Sequence, residues 1–214
     1  SAVTNGKRLF YDTTKPFTKE VPYFNNFLAE KEVQIPKAYI LKQGWHKIVD
    51  RLTTNNIAFT RFQKDTTLSV NVQHIANYKT SKNPYEGHYF HFNTSVSETT
   101  KAMTFNAGDL YISTQQNGVR YVMETLEAVA TDSFFNWNFF DTILQQKEGY
   151  SSYVFEDIAE AFLLQNPEFK KLFDAKLKKD NSFAENPKAQ LDFIYKNSPH
   201  YEKAHLRLPV YKVF

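Results

Sequence analysis

Residues 68–74, Leu-Ser-Val-Asn-Val-Gln-His, decide how the chain is read, because Leu68, Val70, Val72 and His74 alternate with Ser69, Asn71 and Gln73. A two-residue period marks a half-buried antiparallel strand, one face on a core and the other in water. Working outward, His88, Phe90 and Phe92 alternate likewise, then Met103 with Phe105, and Leu110 with Ile112. The turn-forming run Asn106-Ala107-Gly108-Asp109 separates the last two. Upstream, Ala38–Leu41 suits a short strand. Trp45, Ile48, Val49 and Leu52 then fall at i, i+3, i+4 and i+7 on one helix face, which Asn55-Asn56 ends. Downstream the period becomes helical. Val119, Val122, Met123 and Leu126 form one stripe, and Phe169, Leu172, Phe173 and Leu177 another, opened by Asn166 as N-cap and Pro167 at the first helical position. Pro187 starts a last helix with Leu191, Ile194 and Tyr195 on its face, and Leu206 to Phe214 is strand-like again. The expected fold is α+β: a small, mostly antiparallel sheet with helices packed on one side and a helical C-terminal half.

Before the first strand, residues 1–36 carry Pro16, Pro22 and Pro36 among irregularly spaced apolar residues, which suits an extended arm or linker. Residues 37–214 then read as a single domain, β-rich over 37–116 and helix-rich over 117–214. The 214 residues are 42% hydrophobic and 23% charged, enough to build a core, and no uncharged run is long enough for a membrane span. Twenty-six basic residues against 23 acidic leave a net charge of only +3. Just five of the basic residues are Arg, the side chain whose planar fork reads phosphates and bases, so nucleic acid is not expected as a partner. Cysteine is absent, which removes thiol catalysis, thiolate metal sites and disulfides together.

The six glycines, at 6, 44, 87, 108, 118 and 149, have none of the spacings of a GxGxxG turn, a P-loop or a GxSxG nucleophile elbow. No histidine is followed by Glu at the spacing of an HxxE or HExxH zinc motif. One histidine cluster stands out, Tyr85-Glu86-Gly87-His88-Tyr89-Phe90-His91. On a strand, Glu86 and His88 would share a face and His91 the opposite one, so a metal at Glu86, His88 and His91 would need a ligand from elsewhere. Otherwise these residues hydrogen-bond within or beside the sheet. His200 and His205 read as part of a helix end. The run Phe134-Phe135-Asn136-Trp137-Asn138-Phe139-Phe140 holds five aromatics in seven residues. Phe135, Trp137 and Phe139 are candidates for stacking on a sugar ring or peptide, with Asn amides beside them. Spread around a helix, the same rings would instead fill a core or an interface. Glu148, Glu156 and Asp157 have no fixed catalytic spacing and suit a solvated face. Asn93-Thr94-Ser95 matches a glycosylation acceptor, a triplet that arises easily by chance.

The strings RLFYDTTKPFTKEVPYFNNF (8–27) and KAYILKQGW (37–45) resemble the region just downstream of the catalytic domain in secreted zinc carboxypeptidase-like proteins of Bacteroidetes-type bacteria, relatives of carboxypeptidase A. The similarity continues through YEGHYFH (85–91), AGDLYI (107–112) and DSFFNWNFFDTILQQKEGYSSYVFED (132–157), and so covers most of the chain. The resemblance implies a larger, exported parent in which a peptidase domain precedes this chain and holds the zinc. It therefore implies an extracytoplasmic location, a non-catalytic accessory role here, and the peptidase domain of the same polypeptide as partner. No catalytic residue is carried over, since no position here matches the HxxE pair. If the arm lies along the junction with that domain, Phe17, Tyr23, Phe24 and Phe27 are the expected interdomain contacts. The alternative is a glycan- or peptide-binding module using an aromatic surface around Trp137. An independent enzyme would have only Glu86, His88 and His91 as a centre.

Overall fold

The computed structural model describes residues 1–29, 31–147 and 149–214. The chain divides into two units, Ser1–Val33 and Gln34–Phe214. The first has no helix or strand among its described residues. Its ordering is local: at Asp12, for example, the Thr14 N–H donates to the carboxylate at 3.0 Å. Its apolar side chains, including Phe17, Tyr23, Phe24 and Phe27, are exposed. The second unit begins before the arm expected over 1–36 has ended, because Pro36 is buried and its carbonyl accepts from the Thr114 hydroxyl at 2.6 Å.

The second unit is an α+β fold. Its six strands are β1 (Ala38–Leu41), β2 (Thr60–Arg61), β3 (Thr66–Thr80), β4 (His91–Phe105), β5 (Leu110–Ser113) and β6 (Arg207–Val213). They form one sheet in the order β2-β5-β1-β6-β3-β4, with every pairing antiparallel. All four residues of β1 are buried, as a central strand covered on both faces requires. The alternation at 68–74 and the separate pieces ending at Phe92 and Phe105 belong to one hairpin of two 15-residue strands, β3 and β4. The middle of β4, Ser97 to Ala102, is exposed on both faces, so no apolar alternation marks it.

This order forces the sheet to roll. β4 and β5 stand four places apart, which in a flat sheet would be about 19 Å at a strand spacing of about 4.8 Å. Yet they are joined by the tight turn Asn106–Asp109, closed by the Asp109 N–H donating to the Asn106 carbonyl at 3.1 Å. The end of β4 must therefore curl back toward β5. Buried Asp109 fixes that corner: it accepts from the Gln43 N–H at 3.0 Å and pairs with Lys42 at 3.1 Å, while Lys42 also reaches the Thr104 carbonyl at 3.3 Å. Gly108 supplies the left-handed backbone of the turn, at φ +93°. Inside the roll, Ile40, Val70, Val72, Phe105 and Tyr211 form a cluster built from strands alone, with Phe62 stacked on Phe105.

Two helices, α1 (His46–Thr54) and α2 (Val119–Leu126), cover the opposite face. Ile48 and Leu52 from one, and Val122 and Leu126 from the other, pack with Tyr39, Leu41, Leu110, Ile112, Leu208 and Val210. The predicted stripes on these two helices are thus the buried ones. The remaining helices, α3 (Ser152–Gln165), α4 (Pro167–Lys179), α5 (Asn181–Ala184) and α6 (Pro187–Lys196), have a core of their own around Phe155, Phe173, Phe183, Ile194 and Tyr195. The chain enters and leaves this layer side by side, with the Leu206 N–H donating to the Ile143 carbonyl at 2.8 Å. Two expected details differ. Leu172 is 65% exposed and lies off the buried face of α4. Asn166 makes no capping bond, because its amide donates back to the Phe162 carbonyl at 2.8 Å, whereas Asn186 does cap α6 by accepting from the Ala189 N–H at 3.0 Å. Among the described residues no helix is long and apolar enough to cross a membrane.

Candidate functional site: an aromatic surface around Trp137

The Phe134–Phe140 run is not a helix. It is a succession of tight turns, seen in the Asn138 N–H donating to the Phe135 carbonyl at 3.0 Å and the Trp137 N–H to the Ser133 carbonyl at 3.0 Å. Two asparagines impose this path. Asn136 is buried, and its amide donates to the Ala130 and Thr131 carbonyls at 2.8 and 3.2 Å while its oxygen accepts from the Thr94 hydroxyl at 2.7 Å. Asn138 sits at φ 66°, which Asn tolerates better than most residues. Side-chain bonds to nearby backbone compete with helix formation, and here they prevail.

The turns divide the five rings. Phe134, Phe135 and Phe140 are buried in the sheet's helix-covered core. Phe135 is therefore withdrawn as a stacking residue, since it is 0% exposed. Trp137 and Phe139 remain half-buried at the edge. The tip of the β3–β4 hairpin meets them there. The expected strand through Glu86 and His88 is instead a tight reversal: Tyr85 and His88 exchange both backbone hydrogen bonds at 2.8 Å, with Glu86 and Gly87 at φ 49° and 78° between them. Trp137 becomes the centre of a ring cluster, with Phe90 at 5.0 Å, His88 at 5.5 Å and Tyr85 at 6.3 Å between centroids. His88 also stacks on Phe139 at 6.2 Å. Tyr85 and Tyr89 are 64% and 54% exposed, and the Trp137 indole N–H donates to Asp132 at 3.2 Å.

His91 locks the hairpin to the turns. Its backbone N–H donates to the Asn136 carbonyl at 2.8 Å. Its ring is buried between Tyr78 and Phe135, with Nδ1 2.9 Å from the Thr80 hydroxyl and Nε2 3.1 Å from both Asp141 and the Asn138 amide. Asn138 also donates to the Tyr89 carbonyl at 2.9 Å. With the proton on Nε2, Asp141 accepts it and Thr80 donates to Nδ1, while the Asn138 amide N–H groups go to the Tyr89 carbonyl and Asp141 rather than to the ring. The order hydroxyl, imidazole, carboxylate is that of a hydrolase triad. Here the ring packs edge to face on Tyr78 and tilted on Phe135, and serves as the joint between hairpin and turns.

Glu86, His88 and His91 do not come together as ligands. Glu86 is on the exposed reversal, His88 stacks on Phe139, and the His91 ring is engaged by Thr80 and Asp141. Among the described residues no group of three or more His, Asp or Glu is placed to hold a metal ion. Glu156 and Asp157 are exposed on α3, and Glu148 lies outside the described residues. No family model, curated protein or solved structure matches this chain.

A second polar centre has no signature in the sequence. The Tyr39 hydroxyl donates to Glu127 at 2.7 Å, and Lys212 reaches Glu98 at 2.8 Å and Glu127 at 3.5 Å. Both the Glu127 and Lys212 side chains are buried, and Glu98 also accepts from Gln73 and Asn71 at 2.7 and 3.1 Å. Burial, then the charge and hydrogen bond of Glu127, push the Tyr39 hydroxyl far above its usual range. Burial alone would raise the Glu98 carboxyl, but hydrogen bonds from Lys212, Gln73 and Asn71 outweigh it and hold the group low. Each charge faces an opposite one, so the centre ties β1, β6 and β4 to the end of α2, with Glu98 at its exposed rim.

Proposed function

We propose that this chain is a non-catalytic accessory domain of a larger, exported zinc carboxypeptidase-like protein, and that it contacts an oligosaccharide through the surface around Trp137. The observation that carries the binding reading is the Tyr85–Trp137 ring pair, with exposed Tyr89 on the same hairpin tip and His91 tying that tip to the turns that hold Trp137. Partly exposed rings offer an apolar face for a sugar, and Asp132 and Asp141 set carboxylates beside them. The accessory role is supported by the resemblance of the strings at 8–27, 37–45, 85–91, 107–112 and 132–157. Zinc and proteolysis, in this reading, belong to the peptidase domain of the same polypeptide, and Phe17, Tyr23, Phe24 and Phe27 are offered to it.

Affinity electrophoresis in gels loaded with polysaccharide tests the binding reading. The native chain is expected to be retarded, and Tyr85→Ala with Tyr89→Ala to migrate freely; unretarded native protein across glycans, with retardation by peptides instead, would move the proposal to a peptide ligand. An immunoblot of source cells against this chain tests the accessory role. A band well above 25.0 kDa is expected, and a band at that mass with no larger precursor would contradict it.

A further inference from the structure

The sheet face that carries Val72 and Tyr211 ends in a row of polar side chains. The register sets His74 of β3 opposite Arg207 of β6 on one side and opposite Ser97 of β4 on the other. Alternation puts all three on the face of Val70, Val72 and Tyr211, because Gln73 and Leu208, one residue away, point to the opposite face. Directly opposed residues in such a sheet have Cβ atoms about 4.5–5.5 Å apart. Lys101, four residues along β4 from Ser97, is on the same face.

Like charges set side by side in a sheet oppose folding. Elsewhere the fold matches its inward cations with carboxylates: Lys42 with Asp109, and Lys212 with Glu98 and Glu127. Among the described residues Arg207, Lys101 and His74 have no such partner. Arg207 and His74 are half-buried, so water solvates them only in part. Burial first, then the charges of Lys101 on β4 and Arg207 on β6, hold the His74 imidazole below its ordinary pKa. These are the charged groups acting on it from the neighbouring strands.

We propose that Arg207, His74 and Lys101, with the Ser97 hydroxyl beside them, bind a doubly charged oxyanion, the phosphate or sulfate group of a ligand. Arg207 supplies a planar fork suited to two oxygens, Lys101 a second positive charge, and Ser97 and His74 neutral donors between them. Two fixed positive charges match a dianion better than a carboxylate.

The test follows the His74 ring resonances by NMR, assigned with His74→Gln, while the full chain is titrated with sodium phosphate, sulfate, acetate or chloride at constant ionic strength. Saturable shifts with phosphate or sulfate are expected, together with a rise in the His74 pKa, because a bound dianion favours imidazolium. Lys101→Gln and Arg207→Gln are each expected to weaken the response about tenfold, the loss of one charge-assisted hydrogen bond. Lys101 is exposed, so its variant keeps the test valid should Arg207→Gln unfold. A shift that chloride reproduces, or one that Lys101→Gln leaves unchanged, would overturn the proposal.

Discussion

Glu127 follows the last residue of α2 and is 1% exposed, a carboxylate held in place by Tyr39 and Lys212. Removing the Tyr39 hydroxyl leaves one Glu127 oxygen without its hydrogen bond in a dry site. Tyr39→Phe is expected to cost about 1–3 kcal/mol, despite adding no cavity, as read from denaturant unfolding. The same centre sets a pH response. Glu98 is held below its ordinary value of 4.5, so its contribution is complete above that pH and is lost as pH falls through the lower folded value. Unfolding midpoints should therefore drop below about pH 4.5, and Glu98→Gln should flatten that drop. Tyr39 has the opposite sign: its folded pKa is raised, so its contribution is whole below pH 10 and declines above it. At this scale the sequence was least legible. Glu127 follows the Val119–Leu126 stripe and belongs to no pattern, and Asp109 reads only as a turn former. What makes each structural is a partner 88 or 66 residues away, which no local pattern records.

At the scale of elements, local chemistry was the better guide. The strand at Ala38–Leu41, the helices from His46 and Val119, and the Pro187 helix start all fall where periodicity and capping residues put them. Reading failed where side chains bond the backbone or where neither face is buried. Asn136 and Asn138 turned an aromatic run from helix into turns, and the Ser/Thr-rich centre of β4 hid half of a hairpin. Asn136→Ala removes three hydrogen bonds at once and is expected to cost about 1–3 kcal/mol. It should also shift Trp137 emission to the red as the platform loosens, measured in a Trp45→Phe background. Gly108→Ala tests the rolled sheet. A side chain at φ +93° is strained, so a loss of about 1–2 kcal/mol is expected, whereas Gly44, with no close neighbour, should accept Ala at little cost.

For the molecule as a whole, the separate cores matter most. The helical layer packs on its own aromatic cluster and joins the sheet through a narrow neck, where Leu206 meets Ile143 and Lys147 donates to Glu202 at 2.8 Å. Phe183→Ala is expected to cost that layer about 3–5 kcal/mol. Hydrogen exchange should then accelerate over 150–201 while β1 and β6 stay protected. The rolled sheet, by contrast, couples the hairpin tip to the Phe134–Phe140 turns through His91, so the proposed binding surface rests on the sheet and not on the helical layer. Ligand binding at this surface is tested most directly by fluorescence titration of the Trp45→Phe chain, in which Trp137 is the sole indole, with a panel of oligosaccharides. Saturable quenching that Tyr85→Ala weakens is the predicted result; emission that no oligosaccharide changes, from a protein shown to be folded, would contradict the account.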